Sequence, residues 1–225
     1  TAASASAAFT VAKINPGMNV VVDNITYGQN ATVTVTMDAR GTGTVTLTVN
    51  GKTYTATVKD GKAVFNVVGL GAGKYPVTVS YAGDGNFTDA TVNTEFSISN
   101  LDPALKVVVG NITYGNNATI VVGINSAATG KVNITVNGKS ELVDIVNGRA
   151  TLVLSGLAAG SYTVTVSYDG DGNFTAATAT ADFNVAKISP DMNVDVSTFD
   201  YGTKANVTVT VNDKATGSVT ISIDG

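Results

Sequence analysis

The chain has 225 residues, of which 44% are apolar and 13% charged, with a formal net charge of −4. That apolar content excludes a disordered chain, and without a cationic surface to neutralise phosphate or anionic lipid, nucleic acid is not an expected partner. Cysteine and histidine are absent, which removes disulfides, thiolate nucleophiles, thiolate or imidazole metal sites, and the side chain most used for proton transfer near neutral pH.

Apolar runs are short and broken by Thr or Asn, as in Val20-Val21-Val22 followed by Asp23-Asn24, so no stretch approaches the roughly 20 residues that cross a bilayer as a helix. No membrane span is expected in this segment. Val, Thr, Ile, Tyr and Phe are plentiful while Leu and strong helix formers are scarce, a set that suits pleated, half-buried surfaces. The chain opens TAASASAAFTVAK, without the basic segment and apolar core of a signal peptide.

A self-comparison explains that opening. Asn24-Ile25-Thr26-Tyr27-Gly28 recurs as Asn111-Ile112-Thr113-Tyr114-Gly115, and Tyr201-Gly202 continues the series at the same 87-residue spacing. Phe9, Phe96 and Phe183 form a further ladder. Aligning residues 16–102 with 103–189 gives 42 identities in 87 positions without an insertion. The chain therefore divides into 1–14, the final strand of a preceding repeat; 15–101 and 102–188, two whole repeats; and 189–225, the first strands of an incomplete repeat.

Along the second repeat, Leu105 to Val109 and Ile112 to Tyr114 predict a kinked first strand, Ala118 to Ile124 a second and Lys131 to Val136 a third. Asn137-Gly138 then supplies the two positive-φ residues of a tight hairpin. Ser140 to Val146 is the fourth strand, Asn147-Gly148 another turn, Ala150 to Leu154 the fifth strand, Ser161 to Tyr168 the sixth, and the seventh lies within Phe174 to Val185. The first repeat carries the same marks, including Asn50-Gly51 and Asp60-Gly61. Seven short antiparallel strands with alternating polar and apolar residues predict an all-β fold of two packed sheets. Tyr75 and Tyr162, each opening the sixth strand behind a Gly turn, stand where a tyrosine corner ties its hydroxyl to upstream backbone, which points to an immunoglobulin-like β-sandwich. The first three strands of a further repeat are expected at 190–225, ending at the Asp224-Gly225 turn.

The pattern L-x-A-G-x-Y-x-V-T-V-S-Y-x-G-D-G-N-F resembles the bacterial Ig-like repeats of group 3, and the Thr/Asn-rich form with N-I-T-Y-G is most similar to the adhesin-like surface proteins of methanogenic archaea. The resemblance spans both whole copies and both partial ones. It implies an extracellular, cell-surface stalk or filament with neighbouring repeats of the same protein as its partners. An odd strand number sends the chain in at one end of a sandwich and out at the other, so tandem copies are expected to form a head-to-tail rod. The Pro-containing joints Asn15-Pro16, Leu101-Asp102-Pro103 and Ile188-Ser189-Pro190 are expected to limit bending.

Candidate chemistry is sparse. The loop YAGDGNFTDATVNTEF, residues 81–96, and its echo at 168–183 look like an acidic, Gly-broken ion site, but a hard cation wants six to eight oxygens. Only Asp84/Asp171 and Glu95/Asp182 keep a carboxylate in both copies. Asp84 and Asp171 are therefore read as structural turn residues that cap backbone amides; no metal, cofactor or catalytic residue is expected. Lys13 and Lys187 would suit an isopeptide crosslink, yet Asn100 stands at the equivalent place between them. Asn24, Asn30, Asn86, Asn111, Asn117, Asn133, Asn173 and Asn206 each begin an Asn-x-Thr triplet, candidate N-glycosylation sites against about four or five expected by chance. Two alternatives to a stalk stay open: an adhesive module that binds a glycan or cell-surface protein, and a fibre subunit whose leading strand completes a neighbouring copy's sheet through homopolymeric contacts.

Overall fold

A computed structural model describes residues 3–223. Every regular element among them is a β-strand. The chain divides into two compact units, Thr1–Pro103 with Gly170–Ala176, and Ala104–Asp169 with Ala177–Gly225.

Unit 1 holds β1 (Asn19–Val22), β2 (Ile25–Thr26), β3 (Ala31–Thr36), β4 (Thr44–Val49), β5 (Lys52–Thr57), β6 (Lys62–Val67), β7 (Gly73–Tyr81) and β8 (Ala90–Ser99). They make a three-stranded sheet, β1-β3-β6, and a five-stranded sheet, β2-β8-β7-β4-β5. Unit 2 repeats the plan with β9 (Lys106–Val109), β10 (Ile112–Thr113), β11 (Ala118–Gly123), β12 (Lys131–Val136), β13 (Lys139–Asp144), β14 (Arg149–Leu154), β15 (Gly160–Tyr168) and β16 (Ala177–Ala186). Its sheets are β14-β11-β9 and β10-β16-β15-β12-β13. Each unit is thus an immunoglobulin-like sandwich.

The kinked first strand turns out to be two strands in two sheets. In unit 1, β1 pairs antiparallel with β3, while β2 crosses to the other sheet and runs parallel to β8; β9 and β10 do the same with β11 and β16. The expectation of wholly antiparallel pairing is corrected at this one place. A chain that changes sheets without reversing lies beside the last strand running the same way. The side chain of Asn24 holds the crossing, its Oδ1 accepting from the Ser97 amide at 2.7 Å, and Asn111 accepts from the Asn184 amide at 2.8 Å.

Alternation decides the core. In β3 the sequence ATVTVT buries Ala31, Val33 and Val35 and turns Thr outward, and in β4 Val45, Leu47 and Val49 go inward. With Phe65, Val77, Val79, Phe96 and Ile98 these form one apolar cluster, which a chain without disulfides relies on for stability. Asn50 at φ 49° and Gly51 at φ 70° close the β4–β5 hairpin, the two left-handed residues that a type I′ turn needs to match strand twist.

The partial repeats depart from expectation. Residues 3–13 form no strand, and Phe9 is 89% exposed where its counterpart Phe96 is 2% exposed; without a sixth strand alongside, an extended segment has no ladder to join. Beyond residue 189, β17 (Asn193–Val196) and β18 (Val207–Thr210) pair antiparallel, but residues 211–223 add no third strand. In both complete units that strand is held by the fourth and sixth, and residues 189–223 hold no counterpart to either. The Asp224-Gly225 turn lies outside the described residues.

Truncating the core should cost far more than trimming the surface beside it. Leu47→Ala is expected to destabilise unit 1 by about 2–5 kcal/mol, whereas Thr48→Ala, on the solvent side of the same strand, should change it by no more than about 0.5 kcal/mol. Denaturant titration of the two variants measures both.

Candidate functional site

The Gly-Asp-Gly-Asn-Phe loop is built around Asp84. Gly83, at φ +83°, lets the chain turn so tightly that a Cβ there would sit 2.7 Å from the Phe87 carbonyl oxygen. That turn aims the Asp84 carboxylate back at its own loop, where Oδ1 accepts from the Asn86 amide at 2.8 Å and the Phe87 amide at 2.9 Å. Oδ2 reaches across to Thr42 and accepts from its amide at 2.9 Å and its hydroxyl at 2.8 Å. The Tyr81 hydroxyl donates to the Thr42 carbonyl at 2.8 Å, so one carboxylate ties the end of β7 to the turn before β4. The Asn86 amide first, and then the Thr42 amide, hold the Asp84 carboxyl well below the usual carboxylate range. Burial raises the Tyr81 hydroxyl above its ordinary value. The Asp84 carboxylate therefore stays ionised at neutral pH and serves as an anchor, with no proton to give.

The loop also receives an incoming strand. The Ile14 amide donates to the Asn86 carbonyl at 3.0 Å, and the Thr88 amide donates to the Ile14 carbonyl at 2.9 Å, a single parallel bridge that seats Ile14 beside buried Phe87. Arg40 lies over the Phe87 ring at 5.8 Å, held by a two-pronged contact of its Nε and Nη2 with Asp38 at 3.0 and 2.8 Å. That contact lowers the Asp38 pKa to about 2.

Unit 1 contains the clasp a second time, through its Gly170–Ala176 segment. Asp171 Oδ1 accepts from the Asn173 and Phe174 amides at 2.7 and 2.9 Å. The Leu101 amide donates to the Asn173 carbonyl at 2.9 Å, and the Thr175 amide to the Leu101 carbonyl at 3.0 Å. Phe174 meets the Tyr27 ring edge-on at 5.5 Å, and Asn173 Oδ1 accepts from the Ala72 amide at 2.9 Å. Phe87 and Phe174 are buried ahead of the seventh strand, since β8 and β16 begin at Ala90 and Ala177. Ile14, Leu101 and Thr42 were not singled out from sequence. The signal was there: Ile14 and Leu101 stand 87 residues apart, each two residues before a Pro.

Tyr75 donates its hydroxyl to the Gly71 carbonyl at 3.0 Å and stacks on Phe96 at 5.6 Å. Tyr162 donates to the Ala158 carbonyl at 2.8 Å and stacks on Phe183 at 5.2 Å. Each ring therefore ties the loop before the sixth strand to the core face of the last.

The Asn-x-Thr triplets share a property that sequence counting overlooks: the middle residue is apolar in every one. Ala31, Phe87, Ala118, Ile134 and Phe174 are fully buried, and Ile25, Ile112 and Val207 are half-buried. A strand that alternates inward and outward places Asn and Thr on the solvent side of one inward residue, as at Asn133-Ile134-Thr135 in β12, whereas the Phe87 and Phe174 triplets lie in the Asp-Gly-Asn-Phe loops. Asn30, Asn86, Asn117 and Asn206 are exposed. Asn24, Asn111 and Asn173 are exposed or half-buried and carry the amide contacts already described. Asn133 is half-buried in β12, paired on both sides. Among the described residues no three His, Cys, Asp or Glu side chains gather as metal ligands would, and no helix is long and apolar enough to cross a membrane.

A depressed native pKa means that the Asp84 contacts add stability above the ordinary carboxylate value, 3.8, and lose it as pH falls through the lower native value. Asp84→Asn should therefore be less stable than the parent at pH 7, with the difference shrinking steadily below about pH 4; denaturant midpoints measured across that range give the curve. Tyr162→Phe, which deletes one neutral hydrogen bond, should lower the stability of unit 2 by about 0.5–1.5 kcal/mol in the same titration.

Comparison with known structures returns chains of low identity. The titin domains z1z2 in complex with telethonin are 14% identical, with 80% of this chain and 100% of that one covered and a TM-score of 0.45. The fibronectin(III)-like modules of CbhA from Clostridium thermocellum are 12% identical, with 75% and 95% covered and a TM-score of 0.32. At such scores neither carries an argument about function. No curated protein matches the chain. The family model for the bacterial Ig-like domain (group 3) matches residues 18–99 and again 105–186, and on that double match the chain belongs to the bacterial Ig-like domain (group 3) family.

Proposed function

We propose that this chain is a stalk or filament segment of a cell-surface, adhesin-like protein, in which tandem Ig-like domains supply reach and withstand pulling. The role is structural, and Ig-like domains are ordinarily non-catalytic scaffolds. One observation carries the reading. In each unit the short second strand lies parallel to the last strand, β2 with β8 and β10 with β16. The Tyr27 amide donates to the Ser99 carbonyl at 2.9 Å and the Tyr114 amide to the Ala186 carbonyl at 2.8 Å, while Asn24 and Asn111 extend the same seam with side-chain oxygens. When the two ends of a domain are drawn apart, hydrogen bonds between these parallel strands are sheared together instead of opening one at a time. A domain built this way yields at higher force than one whose strands peel.

Several further features support a surface setting. Bacterial Ig-like domains of this group are often extracellular, and low charge with Thr- and Asn-rich outer faces keeps a long β array soluble. Glycans on exposed Asn30, Asn86, Asn117 and Asn206 are part of the proposal, as are neighbouring repeats of the same protein as its principal contacts. Equivalent Asp-Gly-Asn-Phe loops clasp Ile14 and Leu101 by the same parallel bridge.

Pulling single molecules of the full chain by its ends tests the reading. Two discrete unfolding events are expected, one per complete repeat. Tyr114→Pro, which deletes the donor to Ala186 and no other ladder bond, should lower the force of one event and leave the other unchanged. Smooth extension without force peaks, or a Tyr114→Pro trace identical to the parent, would refute a force-bearing role.

A further inference from the structure

The two repeats share a backbone plan but differ at one edge of the sandwich. In unit 1, β5 turns Tyr54 inward opposite Leu47, where it packs against the cluster that includes Phe65 and Val67. The 87-residue register places Glu141 at the Tyr54 position, Leu152 at Phe65 and Ser155 at Val68. Unit 2 has therefore lost two rings and an aliphatic side chain from the seam between its edge strands β13 and β14. The core beneath is opened accordingly: Phe65 and Val67 are 4% and 1% exposed, whereas Leu152 is 9% exposed and Leu154 only half-buried.

What remains is a groove of about 330 Å³ with a floor of Ile134, Val136, Leu152, Leu154 and Leu157. Lys139, Ser140 and Glu141 stand along its rim, all exposed. A volume of that size accommodates a ligand ring. Beside it, β13 is the terminal strand of its sheet, so one side of its backbone has no strand neighbour.

We infer that the second repeat binds an extended partner polypeptide along β13, with a tyrosine side chain of that partner seated in the groove that the first repeat fills with its own Tyr54. The occupant follows from the repeat itself: the same fold one copy earlier closes this seam with a tyrosine. An added strand pairs its backbone with the free edge of β13 and directs alternate side chains toward the seam. The ring then covers the leucine floor, and its hydroxyl meets a rim that offers Glu141 as an acceptor and Lys139 as a donor. A phenol has the apolar body and polar tip that such a site requires, and a phenyl ring leaves the rim unpaired.

The test uses the full chain with isotope-labelled Ile, Leu and Val methyl groups and N-acetyltyrosinamide as probe. A single ring makes few contacts, so saturable methyl shifts with a dissociation constant in the millimolar range are expected. They should be confined to Ile134, Val136, Leu152, Leu154 and Leu157, with Leu47 and Val67 of the first repeat unmoved. N-acetylphenylalaninamide should bind several-fold more weakly. The double variant Glu141→Tyr, Leu152→Phe should abolish the shifts by restoring the first repeat's filling, and Leu142→Thr, on the outer face of β13, should retain them. If the double variant fails to fold, Ser155→Trp blocks the same groove from its exposed rim and should also abolish them. Absent or non-saturable shifts, equal response to the phenylalanine probe, equal response from both repeats, or undiminished binding by the blocked variants would each overturn the inference.

Discussion

The parallel contact between the short second strand and the long last strand is the constraint on which each sandwich depends. Without disulfides, no cross-link joins the two sheets, and packing and the chain's own crossings must hold them together. The chain crosses between Asp23 and Ile25, and again between Gly110 and Ile112, by leaving one sheet and entering the other. That crossing places the second strand of a repeat beside its last, so a unit cannot lose its last strand without exposing the seam. The inward Phe96 and Ile98 of β8, and Phe183 and Val185 of β16, sit on the same strand as the seam, which couples core packing to the closure of the sheet.

Asp84 and Asp171 solve a second problem, the ordering of a loop too rich in glycine to order itself. Gly supplies the left-handed turn at a cost in conformational entropy, and the carboxylate recovers order by accepting several backbone donors at once. A loop so fixed presents its carbonyl and amide groups at Asn86 and Thr88 in strand-like array, ready to pair with Ile14. The acidic look of this segment thus reflects internal anchoring.

Repetition also separates what is common from what is particular. Seam, corner tyrosine and loop anchor occur in both repeats with nearly the same distances, as scaffold features must. The β13–β14 edge differs, because a side chain that closes a sheet edge can be lost without unfolding the domain: the inner strands keep their cover and only the margin opens. Specialisation of one repeat in an array can arise at such margins, where the stability cost is smallest.

Much of this was legible in sequence because alternation and turn chemistry are local. Asn137-Gly138, the alternation of Lys131 to Val136 and the 87-residue echo place strands, hairpins and repeat boundaries with no knowledge of what packs on what. The bonding of Tyr75 and Tyr162 to backbone four residues upstream is equally local. Three things were decided only by tertiary structure. The sheet switch between β1 and β2 depends on which strand is waiting on the far side. The pairing of Ile14 with Asn86 and Thr88 joins residues more than 70 positions apart, and the echo of Ile14 at Leu101 marks a recurring position without naming its partner. The partial repeats show the converse: Phe9 and Ile221 carry the right alternation yet stay exposed and unpaired. Sequence by itself determines which residues of this protein are fit for a strand, because side-chain period is a property of the backbone; whether a strand forms, and against what, is settled only when a neighbour supplies its hydrogen bonds.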